Sequence, residues 1–408
     1  MKKILVVNKG LAIGGIEIAL VNMVNALQEQ YQVDMMVFDA VGLVKDRLNP
    51  NVNLLKPSWR FQALGMPLKR ALKTKKPRVI AFRLFATVWT KLINNRFPIQ
   101  IAIKHQEILQ GYDLAISFHQ EMRKHTVASG FSRFVDQCVD AKQKAAWLHY
   151  DSAVLDLDSS FNNPFYEKMD KIVCVSRSLR DGFARKFPHF AEKAEYCYNF
   201  LNFQQLKEDS LKEQEYSYPQ NKKICFSASR LAEEKALDRA ITCLAPLFKK
   251  HPQWMWFIAG EGPERAKIES AIQKAELQQQ IILLGNQSNP YPYMRNADLL
   301  MNVSYHEAAP MVFLEAKALG VPVFATRTSS AEELLCEDCD FICENTEEGI
   351  FNSFRTLVEN PEKLRQGKEY LKSLEASNAP SLATIQNWVE KKNPAEGVNK
   401  RVLPQLLT

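Results

Sequence analysis

Short apolar runs recur along the chain, and longer stretches with helical or irregular spacing separate them. In the first half the runs predict buried strands at residues 3–7, 33–38, 114–118, 145–148 and 172–175. In the second half they predict strands at residues 224–228, 255–259, 281–284, 299–303 and 321–325, with helices at 237–250, 264–276 and 310–319. Strands that alternate with helices favour an α/β fold with parallel sheets.

The chain divides near its middle. At 408 residues it exceeds one ordinary hydrophobic core, and the polar, weakly periodic segment 199–222 has the composition of a domain junction. We therefore predict two Rossmann-like, doubly wound parallel-sheet domains, 1–200 and 201–385, facing a cleft. The remaining residues, 386–408, are predicted to form a C-terminal tail that returns to the first domain. Ligands of such sheets bind beyond the carboxyl ends of the strands.

Targeting signals and cysteine chemistry point to the cytoplasm. The first apolar stretch is too short for a secretory signal, and Arg83 and Lys91 interrupt the longest later one. The eight cysteines are dispersed, as in a reducing compartment. Cys336, Cys339 and Cys343 form a C-x2-C-x3-C pattern without an evident fourth zinc ligand, so structural cysteines are favoured and no metal is predicted.

Positive charge is concentrated in one region. The net charge is +7, and residues 47–104 contain thirteen Lys or Arg and no Asp or Glu, beside the aromatics Phe82, Phe85 and Trp89. Such a surface suits an anionic membrane face or a phosphate-bearing acceptor. A solvated basic face is an equally weighted alternative. Nucleic acid is disfavoured because no recognition motif accompanies the charge.

The segment SYHEAAPMVFLEAKALGVPV contains the most specific chemical signal, Glu307 and Glu315. Pro310 suits a helix start. If the helix reached back to Glu307, the two carboxylates would lie roughly 12 Å apart along its axis, too far to share a metal. They would instead bind two ends of an elongated ligand, with the helix N-terminus facing a diphosphate.

Other candidate residues follow predicted strands. Arg230 and Lys235 are suited to a diphosphate, although an isolated R-x4-K pair is common on surfaces. Gly260 and Gly262 indicate a tight structural turn rather than a P-loop. His149 and Asp151 follow the strand at 145–148, where a histidine is more often structural.

Together these segments resemble the retaining glycosyltransferases of family 4, which have the GT-B fold. The matching pieces, in the family's order, are GGIE, WLHYD, VSRSLRDGF, SRLAEEK, AGEGPE and NPYPYMRNADLLMNVSYHEAAPMVFLEAKALGVPV. They span nearly the whole chain, and the second half matches best. The resemblance implies transfer of a hexose or N-acetylhexosamine from a nucleotide-sugar, most often a UDP-sugar, without a metal cofactor.

The resemblance also assigns roles. Arg230 and Lys235 would bind the donor diphosphate, Glu315 the ribose hydroxyls and Glu307 the transferred sugar. His149 would approach that sugar from the first domain, so Glu307, His149, Arg230 and Lys235 form the expected catalytic set. Gly15 would also face the donor, and Gly14, Gly15 and Glu17 would form an acceptor-side loop.

The chain departs from the family pattern at two places. Ala236 stands where Gly often follows the phosphate-binding lysine, and Ala308 and Ala309 stand where Gly and an aromatic are frequent. Since no charged group is lost, we expect altered sugar or acceptor preference rather than inactivity.

The expected mechanism is same-face attack by the acceptor hydroxyl as the nucleotide leaves, with the β-phosphate taking the proton. The sequence of residues 289–300 and the basic first domain resemble those of enzymes that build bacterial cell-surface polysaccharides on a lipid-linked carrier. A nucleotide-sugar epimerase and a non-catalytic partner subunit are the alternatives. An epimerase would act without an acceptor, and retention of the charged residues disfavours a dead site.

Overall fold

The structure is a computed structural model that describes residues 1–12, 14–150, 159–390 and 406–407, and the chain divides into two compact units. Among the described residues, the first unit comprises Met1–Phe200 and residues 381–390, and the second comprises Leu201–Pro380 and residues 406–407. Each unit is built on its own parallel sheet. The expected pair of α/β domains is therefore present.

The first unit contains a seven-stranded sheet in the order β3-β2-β1-β4-β5-β6-β7, with every neighbouring pair parallel. Its strands are β1 (Lys3–Gly10), β2 (Gln32–Asp39), β3 (Asn53–Leu55), β4 (Leu109–Ser117), β5 (Val139–Leu148), β6 (Lys171–Cys174) and β7 (Ala194–Tyr196). Its helices are α1 (Gly15–Leu27), α2 (Trp59–Gly65), α3 (Leu68–Lys73), α4 (Pro77–Leu92), α5 (Arg96–Lys104), α6 (Phe131–Cys138), α7 (Ser159–Tyr166) and α8 (Arg177–Lys186).

The second unit contains a six-stranded parallel sheet in the order β10-β9-β8-β11-β12-β13. Its strands are β8 (Lys223–Ala228), β9 (Trp254–Ala259), β10 (Ile281–Gly285), β11 (Leu299–Asn302), β12 (Val323–Thr326) and β13 (Phe341–Cys343). Its helices are α9 (Phe203–Ser210), α10 (Leu237–Lys250), α11 (Arg265–Lys274), α12 (Tyr291–Arg295), α13 (Met311–Ala318), α14 (Ala331–Leu334), α15 (Glu347–Glu359) and α16 (Glu362–Lys372). A short pair, β14 (Glu375–Ala376) and β15 (Leu406–Leu407), and helix α17 (Ala379–Glu390) follow.

Burial explains why the strands read as unbroken apolar runs. Ile4–Val7 on β1 and every residue of β9 and β11 are buried, because helices cover the faces of a parallel sheet. The tail prediction began at residue 386, whereas α17 begins at Ala379 and packs Trp388 edge-on against Trp147 of β5. Residues 391–405 of that predicted tail lie outside the described residues.

The structure adds three local features to these predictions. The segment 199–222 contains a helix, α9, because the Asn202 side chain accepts a hydrogen bond from the backbone N–H of Gln205 and α9 packs on α12. Helix α13 begins at Met311, so the axial separation that assumed a helix reaching Glu307 does not apply. The apolar stretch interrupted by Arg83 is helix α4, in which Arg83 is buried and donates to the carbonyl of Met66.

None of the helices in the described part of the chain combines the length and apolar character needed to cross a bilayer.

Candidate active site

The loop that follows β8 carries Arg230 and Lys235, and the glycine turn after β9 supports it. Backbone N–H groups of Ser229 and Leu231 donate to the carbonyls of Ala259 and Glu261, each at 3.0 Å. A Cβ at Gly260 would lie 1.8 Å from the Ser229 carbonyl oxygen, and one at Gly262 would lie 2.1 Å from that of Leu231. The two loops therefore pack too closely for any side chain at these positions, and the glycine turn fixes the course of the lysine-bearing loop.

Lys235 and Glu307 form an ion pair in this loop region. Lys235 Nζ lies 2.7 Å from Glu307 Oε1, with the side chains 21% and 10% exposed. The same Oε1 accepts from Ser304 Oγ at 2.8 Å and from Asn302 Nδ2 at 3.2 Å. One carboxylate oxygen thus takes three donors. Among the described residues no donor reaches Oε2 of Glu307, which remains able to accept a hydrogen bond from a ligand.

The backbone of Glu307 is held as well as its side chain. Its carbonyl accepts from Ser329 Oγ at 2.9 Å and from Ser330 Oγ at 3.2 Å. These serines follow β12, Asn302 ends β11 and Ser304 follows that strand, so side chains at neighbouring strand ends fix one glutamate. Such convergence at the carboxyl edge of a parallel sheet is the arrangement in which these folds bind ligands.

Glu315 lies on α13 and is held separately from Glu307. Tyr291 Oη donates to Glu315 Oε1 at 3.1 Å, and the Glu315 side chain is buried. The helix starts one residue after Pro310. The two glutamates of the motif are thus in different local environments, one paired with a lysine and one with a tyrosine.

Arg230 does not join the Lys235–Glu307 pair. Its side chain is 68% exposed and Nη2 lies 2.8 Å from Glu234 Oε1. Burial tends to raise the pKa of Glu234, but the hydrogen bond from Arg230, the backbone and the nearby cations together lower it. Arg230 is therefore a solvent-facing cation, whereas Lys235 is held in place.

The backbone at Ala236 has a left-handed conformation, with φ 49° and ψ 32°. Its N–H donates to the Glu233 carbonyl, and its own carbonyl accepts from Ala240 in the first turn of α10. This residue connects the Lys235 turn to the helix. An alanine in this region of the Ramachandran map is strained, which a glycine would not be.

In the first unit, His149 follows β5 and is neutral. Its Nε2 lies 2.7 Å from the Phe118 carbonyl, its backbone N–H donates to Gln120 Oε1, and its ring packs on Phe118. Because a carbonyl only accepts, Nε2 carries the proton and Nδ1 is left as an acceptor. Burial lowers the pKa of His149 to about 3 against the opposing effect of that hydrogen bond. Asp151, its predicted neighbour, lies outside the described residues.

The loop before α1 brings the predicted acceptor-side residues together. Gly14 caps α1, Gly15 begins it, and a Cβ at Gly14 would lie 2.5 Å from Glu17 Oε2. Burial raises the pKa of Glu17, while its own backbone N–H and Lys9 act in the opposite direction. The glycine at position 14 therefore lets the Glu17 carboxylate fold over the start of the helix.

Sequence reasoning missed the residues that hold these groups. They are Asn302 at the end of β11, Ser304 two residues later, and Tyr291 before the motif. The available signal for the first pair was its position directly after an apolar strand, where the ligands of parallel sheets bind. It also missed His119 and Glu121, which follow β4. Burial lowers the pKa of His119 to about 4.

All eight cysteines are free thiols. Burial is the main cause that raises the pKa of Cys343 to about 12. In the described residues no group of three or more His, Cys, Asp or Glu side chains is arranged to hold a metal ion.

Comparison with known proteins agrees with the geometry. The family model for glycosyl transferases group 1 matches residues 209–373, which covers most of the second unit. The chain is similar to N-acetyl-alpha-D-glucosaminyl L-malate synthase of Bacillus anthracis, at 25% identity over 61% of this chain and 66% of that protein. It is also similar to a Campylobacter jejuni N-acetylgalactosamine-N,N'-diacetylbacillosaminyl-diphospho-undecaprenol 4-alpha-N-acetylgalactosaminyltransferase, at 25% identity over 49% of this chain and 54% of that protein.

Each of these matches thus spans less than two thirds of the relative's own length. Among solved structures, Anabaena HepE in complex with UDP and glucose aligns with a TM-score of 0.65 and 18% identity, covering 96% of this chain and 98% of that one. The expected relation to glycosyltransferases and the GT-B fold are confirmed.

Proposed function

We propose, from the match of residues 209–373 to glycosyl transferases group 1, that this chain is a glycosyltransferase that uses a nucleotide-sugar donor. The transferred group would be a hexose or N-acetylhexosamine, and a UDP-sugar is the first donor to test. The observation that carries the proposal is the Lys235–Glu307 pair at the carboxyl edge of the second sheet, inside the matched segment. A cation and a hydroxyl-binding carboxylate side by side suit the junction between a sugar and a diphosphate.

Lys235 has the donors that this role requires. An ammonium group has three N–H donors, and Glu307 uses one of them, so two remain for diphosphate oxygens. Arg230 is exposed and lies five residues before Lys235. It would supply a second cation once its ion pair with Glu234 breaks. Glu307 would bind a sugar hydroxyl through Oε2, and Glu315 would bind the ribose through the carboxylate that Tyr291 orients.

The chemistry would rest on charge stabilisation rather than on an enzyme nucleophile. Negative charge grows on the β-phosphate as the glycosidic bond breaks, and fixed cations lower the energy of that state. The acceptor hydroxyl would attack the same face and pass its proton to the departing phosphate, with retention of configuration. Since Arg230 and Lys235 would neutralise the diphosphate, we propose that no metal cofactor is required.

The first unit would serve the acceptor. Neutral His149 offers Nδ1 as an acceptor towards a sugar hydroxyl, and Gly14, Gly15 and Glu17 would form the acceptor-side loop. The Campylobacter relative is named for a diphospho-undecaprenol substrate, which supports a glycan or lipid-linked acceptor and a role in cell-surface polysaccharide synthesis. We place this activity in the cytoplasm at the inner face of the membrane, and the eight free thiols support that location.

Thermal unfolding with UDP, GDP and a panel of UDP-sugars, all in EDTA, tests the proposal. A ligand at about a hundred times its Kd stabilises a fold by about 2.7 kcal/mol, which is a shift of several degrees. We expect one nucleotide to give this shift and Glu315→Ala to abolish it. Glu213→Ala, which removes an exposed glutamate in the same unit, is the matched control and should keep the shift.

The outcomes separate the alternatives. No shift with any nucleotide would contradict the donor site and favour a non-catalytic subunit. A shift accompanied by turnover of the nucleotide-sugar to its epimer, with no acceptor added, would instead favour the epimerase.

A further inference from the structure

We propose that helices α3, α4 and α5 of the first unit form a docking surface for an anionic lipid bilayer. The first observation is a row of exposed aliphatic side chains on α4. Leu84, Val88 and Leu92 are spaced four residues apart, so they share one face of the helix, and they are 42%, 57% and 77% exposed. The row continues through Ile93 to Phe97 at the start of α5, which are 51% and 48% exposed.

This apolar exposure is concentrated rather than scattered. Of the twelve exposed large apolar side chains in the described residues, six lie between Leu72 and Phe97. Exposed apolar residues are ordinary when single, but a contiguous group marks a surface that is covered in use. None of the described residues of the first unit covers this group, and the opposite face of α4 is the buried one, with Val79, Arg83, Ala86 and Thr90.

An aromatic cluster supports the row from one side. Neighbouring rings of Phe82, Phe85, Trp89 and Phe97 lie 4.8 to 6.2 Å apart by their centroids. These rings are half-buried or, for Phe97, exposed. Packed rings hold the helix surface rigid, and aromatic side chains favour the boundary between hydrocarbon and headgroups. The cluster therefore suits a helix that lies in the membrane plane.

Exposed cations lie on the same helices as the apolar row and on the turn between α3 and α4. Lys69, Lys73, Lys75, Lys76 and Lys91 are exposed. In the portions of the chain that the structure describes, no carboxylate forms an ion pair with any of them. Residues 47–104 also contain no Asp or Glu that would neutralise them. Each such lysine near an anionic surface contributes about 1 kcal/mol of attraction, or roughly fivefold in affinity.

The combination distinguishes a bilayer from other acidic partners. A nucleic acid would engage the lysines but gains little from aliphatic side chains such as Leu84, Val88 and Leu92. A solvated basic face would leave those side chains in water. A bilayer takes both, because its headgroups attract the lysines while its acyl chains receive the aliphatic row. The inference does not depend on the transferase activity, since its readout is binding.

Flotation with vesicles tests the proposal directly. We expect the full chain to bind vesicles of phosphatidylcholine with about a third phosphatidylglycerol, and to bind pure phosphatidylcholine much more weakly. Leu92→Gln should weaken binding about tenfold, because it removes one large buried side chain from the acyl region. Leu211→Gln is the matched control, since Leu211 is 64% exposed in the second unit, and it should bind normally.

Charge variants complete the experiment. Lys75→Gln combined with Lys76→Gln should weaken binding more than tenfold and reduce its salt dependence, whereas Lys274→Gln, an exposed lysine on α11, should change nothing. Lys235→Ala should bind as the unaltered chain does, which keeps this test separate from that of the donor site. Absence of binding to anionic vesicles, equal losses in Leu92→Gln and Leu211→Gln, or capture by RNA in preference to vesicles would overturn the proposal.

Discussion

Two glutamates, one in each unit, follow parallel strands and are held in different ways: Glu121 is buried and Glu307 is partly exposed. Glu121, after β4, accepts from Ser129 Oγ and the N–H of Gly130 through Oε2, and from the N–H groups of Ser132 and Arg133 through Oε1. Its side chain is fully buried, and Arg133 lies 3.6 Å away. Among the described residues the carboxylate of Glu307 accepts only from side chains, through one oxygen, and it is 10% exposed.

The difference separates a structural carboxylate from one that is available to a ligand. Both carboxylate oxygens of Glu121 accept hydrogen bonds from one short segment. These bonds include the N–H groups in the first turn of α6, which have no partner within the helix. Its bonding capacity is used inside the fold. Glu307 is fixed by residues from several elements, and its Oε2 can still accept a hydrogen bond from a ligand. Both lie beside a cation, so charge does not distinguish the two; the extent of burial and the kind of donor do.

The largest effect should come from removing Glu121. Glu121→Ala leaves backbone donors without their acceptor and the buried Arg133 guanidinium without its carboxylate, so we expect the free energy of unfolding to fall by about 3–5 kcal/mol. Glu307→Ala should cost less, about 1–2 kcal/mol, because Lys235 can turn towards water and only the Asn302 and Ser304 side chains lose a buried acceptor. Urea unfolding of both variants measures this. Equal losses would remove the distinction between the two sites.

Activity should show the reverse order. Glu307→Gln preserves shape but loses the charge that Lys235 and a sugar hydroxyl require, and we expect kcat for transfer to fall about 100- to 1000-fold with little loss of stability. Glu234→Gln, at the exposed pair with Arg230, is the matched control and should lower kcat only severalfold. A steady-state assay with the donor that gives the thermal shift decides this. If Glu307→Gln retained its rate, Glu307 would be a structural partner of Lys235 alone.

The fold could be predicted from the sequence because parallel strands are buried on both faces. Runs such as Ile4–Val7 and Met255–Ala259 therefore stand out without a period, and helices α10 and α13 follow from spacing and flanking residues. Short edge strands such as β3 and β7 have three residues each, too few to register as runs. Helix α9 was missed because its N-cap and its packing on α12, rather than its apolar content, stabilise it.

The site was accessible only in part. Lys235, Glu307 and Glu315 were identified by a resemblance in motif, but their partners were not. Asn302 and Ser304 are close to Glu307 in sequence, yet no pattern indicates that their side chains turn towards it, and Tyr291 lies 24 residues from Glu315. Glu121 gave no signal at all, since its donors come from a segment eight to twelve residues away, at the start of α6, that has no marked pattern. Hydrogen-bond partners of a carboxylate depend on tertiary contacts that a linear pattern does not record.

The smallest predicted effect concerns the backbone beside each glutamate. Next to Glu121 the left-handed position is a glycine, Gly130, with φ 94°; next to Lys235 it is Ala236, with φ 49°. A residue with a Cβ is less stable than glycine in this region by about 1–2 kcal/mol. Replacing it by glycine gains less than this, because glycine also raises the conformational entropy of the unfolded chain. We expect Ala236→Gly to raise the free energy of unfolding by up to about 1 kcal/mol. Ala240→Gly, in the interior of α10, should instead lower it by about 1 kcal/mol.

Gly130→Ala completes the comparison, because its Cβ would lie 2.8 Å from Ile99 as well as in the unfavourable region, so a loss of more than about 1 kcal/mol is expected. Urea midpoints of the three variants test the set. If Ala236→Gly were destabilising, the left-handed turn would not be strained, and Ala236 would be held by its packing, since it is almost fully buried. If Ala236→Gly were stabilising but slowed transfer, the strain would itself fix Lys235 against Glu307. The second unit would then keep a strained left-handed alanine beside its candidate site, whereas the first unit has Gly130 at the corresponding left-handed position and avoids that strain.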